Sequence, residues 1–324
     1  MLNKILIIIA IATVGISCSK QTARIQEQQI HIPDFNADSA YQYTLSQVNF
    51  GYRIPNTPSH AACAAYLADK LKNFGAQVTI QETTLHLLDG TPINISNIIG
   101  EFQPEKKNRV LLCAHWDSRP FADQDPNPAN KNKPIDGAND GAGSCAALLE
   151  IARQISILPP VIGVDIIFFD AEDWGNNYSD ASSLHHGEWC MGSAYWAKNP
   201  HKSGYRANYG ILLDMVSGAD AQFYQEYYSV EYAPHVVKKV WDAARATGYE
   251  NFFPDKKISG IEDDHKQINL YRRIPCIDII QYDPDRATGF AAFWHTLNDN
   301  MEHVSRETLK AVGQTVLYVI YKEK

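Results

Sequence analysis

The chain has 324 residues, 45% of them hydrophobic and 20% charged, with a formal net charge of −8 and a pI near 5.7. Glycine and proline are not in excess, which excludes collagenous and low-complexity classes and points to a folded protein. The acidic balance counts against a nucleic-acid partner, which would need a basic face.

The first segment stands apart from the rest. Lys4 supplies a positive charge, Ile5 to Ile16 is an almost unbroken apolar run, and small residues follow up to Cys18. The run is too short to span a bilayer comfortably, so residues 1–17 read as a signal peptide rather than a transmembrane helix. Gly15-Ile16-Ser17-Cys18 is similar to a bacterial lipobox, which implies lipidation at Cys18, a membrane anchor, and a place in the bacterial cell envelope facing the periplasm. The competing reading is an ordinary secretory signal with an incidental cysteine. Residues 18–29, polar and Gln-rich, then form a flexible tether. Cys63, Cys113, Cys145, Cys190 and Cys276 remain, an odd set that leaves at least one thiol free or paired between chains. No spacing is CxxC-like, so a structural zinc cluster is not expected.

Beyond the tether the pattern alternates. Residues 59–74 carry apolar side chains at helical spacing and stop at Gly75. Residues 77–87 and 94–102 read as strands around the turn Asp89-Gly90-Thr91-Pro92. Residues 109–114, 164–169, 209–213 and 274–280 are apolar runs of buried-strand type, with helices at 144–157 and 233–247 between them. Strands alternating with helices predict an α/β fold: a single domain from residue 30 to 324, with a mostly parallel central sheet flanked by helices on both faces.

The polar residues cluster where such a sheet keeps its ligands. Strand 109–114 runs into His115-Trp116-Asp117-Ser118, strand 164–169 into Asp170-Ala171-Glu172-Asp173-Trp174, and strand 209–213 into Asp214. The carboxyl ends of strands in an open α/β sheet converge on the ligand crevice. A single acid after a strand is often only a helix cap; several acids and a histidine at one edge suit a metal. Asp140 sits in the glycine-rich Gly137-Ala-Asn-Asp140-Gly-Ala-Gly, where it is either a turn or cap residue before the 144–157 helix or a ligand in a tightly bent backbone. Glu172 and Asp173 are adjacent acids that repel unless a cation or proton relieves them, so one suits a metal and the other a proton. A solvated loop pair is the bland alternative. His295 lies among aromatics in Phe290-Ala-Ala-Phe-Trp294-His295, with Asp299 nearby as a possible supporting acid.

Taken together, His115-Trp-Asp117-Ser118, Gly137-Ala-Asn-Asp140, Glu172-Asp173, Leu213-Asp214-Met215, Asp263-Asp264-His265 and His295-Thr296 resemble, in order and rough spacing, the zinc-aminopeptidase-like α/β fold. The resemblance covers nearly the whole mature chain. It implies Asp140, Asp173 and His295 as zinc ligands and Glu172 as general acid–base. His115 and Asp214 match ligands of a second zinc in the two-zinc aminopeptidases of this fold.

Within the fold, the chain is more similar to the glutaminyl-peptide cyclotransferase branch than to those aminopeptidases. Ile261-Glu262-Asp263-Asp264-His265 resembles the cyclotransferase Asp-Asp-His element, where peptidases typically carry Ser-Asp-His. Trp294 and Phe290 resemble the apolar walls around a glutamine side chain, with Trp174, Trp189 and Glu262 as further substrate contacts; core packing is the alternative for each aromatic. The chain departs from the animal enzymes at Asp173, one methylene shorter than their usual Glu, and at Glu262, where Gln is common. Cys145 matches half of the animal active-site disulfide, but Cys113 lies two residues before His115 rather than adjacent, a shift that reverses the side-chain face in a strand and counts against the bridge.

The resemblance then implies one catalytic Zn2+, peptides and proteins with N-terminal Gln as substrates, and a monomer. The α-amine attacks a zinc-polarised γ-carbonyl while Glu172 moves the proton to the departing ammonia. Asp214 and Asp263 share a proton beside the reacting nitrogen, and His115 and Asp117 support the ligands from behind. The alternatives are a two-zinc aminopeptidase and a non-catalytic envelope binding lipoprotein.

Overall fold

In the computed structural model of the chain, residues 31–175 and 188–324 are described; Cys18, the leader and the tether lie outside them. The elements run in the order α1 (Ala37–Val48), α2 (Pro58–Asn73), β1 (Gln77–His86), β2 (Pro92–Phe102), β3 (Arg109–His115), α3 (Ser144–Ile157), β4 (Gly163–Phe169), α4 (Met191–Lys198), β5 (Gly210–Asp214), α5 (Tyr227–Tyr232), α6 (Pro234–Thr247), α7 (Asp264–Gln267), β6 (Cys276–Ile280) and α8 (Arg306–Lys322). Helix starts follow local chemistry. Asn36, Thr57 and Ser305 each accept a backbone N–H from three residues on, at the starts of α1, α2 and α8. Gly248, at φ +80°, ends α6.

The six strands form one mixed sheet in the order β1-β2-β4-β3-β5-β6. β4, β3, β5 and β6 are mutually parallel, as their apolar runs predict, and the β1–β2 hairpin joins antiparallel through β2 on β4. Successive residues of each central strand serve opposite faces. Val110, Leu112 and Ala114 of β3 join the larger core under α1, α2, α3, α6 and α8, whereas Leu111 and Cys113 join the smaller one with Trp196 of α4. Burial of each large side chain in these layers stabilises the fold by roughly 1.5–3 kcal/mol. The same alternation separates Cys113 from Cys145, which lie in different cores, and both thiols are free.

Because β4 packs on one flank of β3 and β5 on the other, the chain reverses its direction of travel at β3. Such a switch point opens a crevice beyond the carboxyl ends of the strands. His115 is the last residue of β3 and Asp214 the last of β5, so both sit at that crevice.

Candidate active site

Asp140 is central, and local structure explains why it is available. It is not a helix cap: α3 starts behind Gly143 with no side-chain cap, and the backbone bends at Asp140 (φ −86°, ψ 93°) and Gly141 (φ +99°, ψ −63°). This frees the carboxylate to face two imidazoles. Its Oδ1 lies 3.0 Å from His115 Nε2 and its Oδ2 3.5 Å from His295 Nε2. His115 Nε2 is also 3.1 Å from Asp214 Oδ1, and His295 Nε2 is 3.3 Å from Asp173 Oδ1. Two trios sharing Asp140 therefore bring their donor atoms together, Asp140-Asp173-His295 and His115-Asp140-Asp214.

The supports are built from backbone N–H groups. Asp117 accepts the N–H of Glu172 at Oδ1 and of Asp173 at Oδ2, each at 3.1 Å, which fixes both acids after the left-handed residue Ala171 (φ +51°). Asp117 Oδ1 also lies 3.4 Å from His115 Nδ1. Asp299, expected beside His295, instead accepts the N–H groups of Asn139 and Asp140 at 2.8 and 3.1 Å and so anchors the Asp140 bend. Its place behind His295 is taken by Asp123, whose Oδ1 is 3.3 Å from Nδ1 of that ring. Arg119, another residue the sequence reading passed over, donates to Asp173 Oδ1 at 3.0 Å and forks onto both oxygens of Asp123. Arg119 follows directly on the His115–Ser118 motif and Asp123 comes four residues later, and their mixed charges beside a ligand loop were the available signal. His295, Met215 and Cys190 have positive φ, strain of about 1–3 kcal/mol each held by the surrounding contacts.

Charge is concentrated here. Burial pushes the Glu172 carboxyl well above its ordinary value; the His115 charge opposes this, and Asp263, Asp173 and Asp264 reinforce it. Cys190 Sγ donates to Glu172 Oε1 at 3.2 Å. Burial and then the Asp214 charge raise Asp263 to about 8, so these two carboxylates are electrostatically linked. Burial would raise Asp173 too, but His295 and Arg119 outweigh it and hold it below its ordinary value.

A cavity of about 610 Å³ opens onto Asp140, Glu172, Asp173, Asp214, Asp263 and His295. Trp189, Phe290, Trp294 and Tyr282 also line it. The Phe290 and Trp294 rings pack at 4.4 Å, and Trp294 stacks on His295 at 3.7 Å. Trp174 does not belong to this wall. It packs against the Ile93, Ile95, Ala171 and Met191 cluster, whereas Trp189 lines the cavity. Glu262 lines the rim, exposed, with its carboxylate held by Lys266 at 2.8 Å. His265 is buried against Glu226 at 3.0 Å and serves the fold.

The donor set fits zinc. Each trio mixes imidazole nitrogen with carboxylate oxygen, the usual ligand chemistry of a catalytic zinc site. Asp173 Oδ2 is buried without a hydrogen-bond partner, a cost that a cation would relieve.

Comparison with known proteins agrees with this geometry. The model of peptidase family M28 matches residues 97–320. A glutaminyl-peptide cyclotransferase of Gloydius blomhoffii is 27% identical over 288 residues, 79% of this chain and 73% of that protein. The structure of a Bacteroides thetaiotaomicron glutaminyl cyclase bound to N-acetylhistamine is 53% identical with a TM-score of 0.88, covering 91% of this chain and 100% of that one. A Zn-dependent exopeptidase from Parabacteroides distasonis is 54% identical, again at a TM-score of 0.88, over 90% of this chain and 100% of the other.

Proposed function

The chain belongs to peptidase family M28, and from that premise we propose that it is a zinc-dependent glutaminyl-peptide cyclotransferase that converts N-terminal Gln of peptides and proteins to pyroglutamate with release of ammonia. The similar proteins of Gloydius blomhoffii and Bacteroides thetaiotaomicron carry that name across high coverage. The observation that carries the reading is the place of Glu172. It is a half-buried carboxyl, with its affinity for a proton raised by desolvation, in the same aromatic-walled cavity as Asp140, Asp173 and His295.

Asp140, Asp173 and His295 would hold a single zinc ion, which would supply Lewis-acid polarisation of the side-chain amide carbonyl. His115 and Asp117 serve as supports. The α-amine nitrogen bonds to the carbonyl carbon of the side-chain amide (Cδ), the bond from that carbon to the amide nitrogen breaks, and ammonia leaves. Glu172 takes the proton from the attacking amine and delivers it to the departing nitrogen, a shuttle that its raised affinity for a proton favours. Asp263, raised to about 8, and Asp214 beside it hold proton and charge beside the reacting nitrogen. Phe290, Trp294 and Trp189 clasp the glutamine side chain and keep out water, which this ring closure does not use.

Mass spectrometry of a Gln-leading peptide should show loss of one ammonia, catalysed by protein carrying one zinc per chain. Release of the terminal residue by a two-zinc protein would instead establish an aminopeptidase. Glu172→Gln should lower kcat by roughly 10²–10⁴-fold with zinc content unchanged. A variant with normal kcat would remove Glu172 from the role. We place the enzyme in the bacterial envelope, exported by residues 1–17, anchored by a lipid on Cys18 and monomeric; the leader and lipobox-like run support the export and the anchor.

A further inference from the structure

Asp173 is a short side chain in a demanding place. A glutamate would extend about 1.5 Å further, one more carbon–carbon bond. The aspartate must therefore be brought up by its backbone and turned by its neighbours. The backbone is held on two sides, by Asp117 Oδ2 at the Asp173 N–H and by the bridge of Asp173 to Trp189. The carboxylate is turned by Arg119, which is only 1% exposed. Its NH1 donates to Asp173 Oδ1 at 3.0 Å and to the Asp173 carbonyl at 3.3 Å. Asp173 Oδ2 is left as the oxygen without a partner.

The other side of the guanidinium is equally committed. Nε and NH2 fork onto Asp123 at 2.8 and 3.1 Å, and Asp123 Oδ1 lies 3.3 Å from His295 Nδ1. The Trp189 ring covers the guanidinium at 4.8 Å and lies parallel to His295, 7° between planes. One ion pair thus touches two of the three candidate ligands, through its cation on Asp173 and its anion on His295. We propose that Arg119 is the positioning residue that makes an aspartate at 173 a working zinc ligand, fixing its carboxylate beside His295 Nε2, and that Asp123 orients His295 from the same ion pair. The rigid planar fork of arginine can serve both acids at once, whereas lysine offers a single point charge.

This inference rests on the reading that Asp140, Asp173 and His295 bind zinc, so the test measures zinc affinity of the full chain, by competition with a chelator, and not turnover. His295→Ala serves as the control for the ligand assignment and should lose tight binding. If it binds zinc as wild type does, the assignment falls and this inference with it. Arg119→Met should bind zinc roughly 10–100-fold more weakly, the usual effect of losing a group that orients a ligand. Adding Asp173→Glu to Arg119→Met should recover most of that loss, because the longer acid reaches the ion without being held. Arg119→Lys, which keeps the buried charge, should show a smaller loss in the same direction and decides the matter if the methionine variant fails to fold. Zinc affinity equal to wild type in folded Arg119→Met, or in Arg119→Lys where only that variant folds, would overturn the proposal, as would failure of the glutamate to rescue.

Discussion

Asp263 carries a proton to about pH 8 in the metal-free fold, against an ordinary 3.8, because it is buried and faces Asp214. Asp299, buried beside Asp140, is raised to about 7. Between 3.8 and these values the native state binds protons that the unfolded chain has released, so stability falls as pH rises. The stabilising contribution is complete below about 4 and is lost by about 8. Thermal melts in chelator should therefore show a falling Tm across that window, and Asp263→Asn should flatten part of the fall. Parallel slopes for wild type and variant would remove Asp263 as a source. At this scale the candidate ligands and Glu172 were legible, since each stands in a short motif: Glu172 and Asp173 just after a strand, Asp140 in a glycine-rich turn and His295 among aromatics. The partnerships were not. Asp299 looked like a neighbour of His295 from sequence proximity, but the turn carries it to the Asn139 and Asp140 N–H groups and leaves His295 to Asp123.

The bend before α3 is the element on which the site depends. A Cβ on Gly141 would lie 2.6 Å from the Asp117 carbonyl oxygen and 3.1 Å from His115 Cε1, at a φ of +99° that other residues rarely adopt. Gly141→Ala should cost about 1–3 kcal/mol of stability and weaken zinc binding by displacing Asp140. Denaturant melts and zinc titration check both, and an alanine variant that melts with wild type would show the bend to be tolerant. The central strands were readable because each is a continuous apolar run. α1 was not, because its buried face includes Thr44 and Gln47, which dilute the apolar period; Gln47 is there to donate to the Ala142 carbonyl beside the bend. α8 was passed over although Leu309, Val312, Val316 and Ile320 give it an apolar stripe.

For the whole molecule, a chain starting at residue 31 should melt and cyclise like the full chain yet move from the membrane fraction to the soluble one. Equal fractionation of the two would dispose of the anchor on Cys18. The compact unit runs from His31 to Lys324 and includes every residue assigned a part in the chemistry. What the sequence determined by itself was whatever is local: the alternation of strands and helices, the acids and histidine at strand ends, the paired Glu172-Asp173, and the glycines that let the backbone bend tightly around Asp140. What only the tertiary structure decided was which of these meet. Asp140 faces both His115 and His295, Trp189 reaches the cavity while Trp174 does not, and Arg119 joins Asp173 to Asp123. These contacts link segments far apart in the chain. They follow from strand order and from how loops turn at the switch point, and no residue pattern within one segment encodes that geometry.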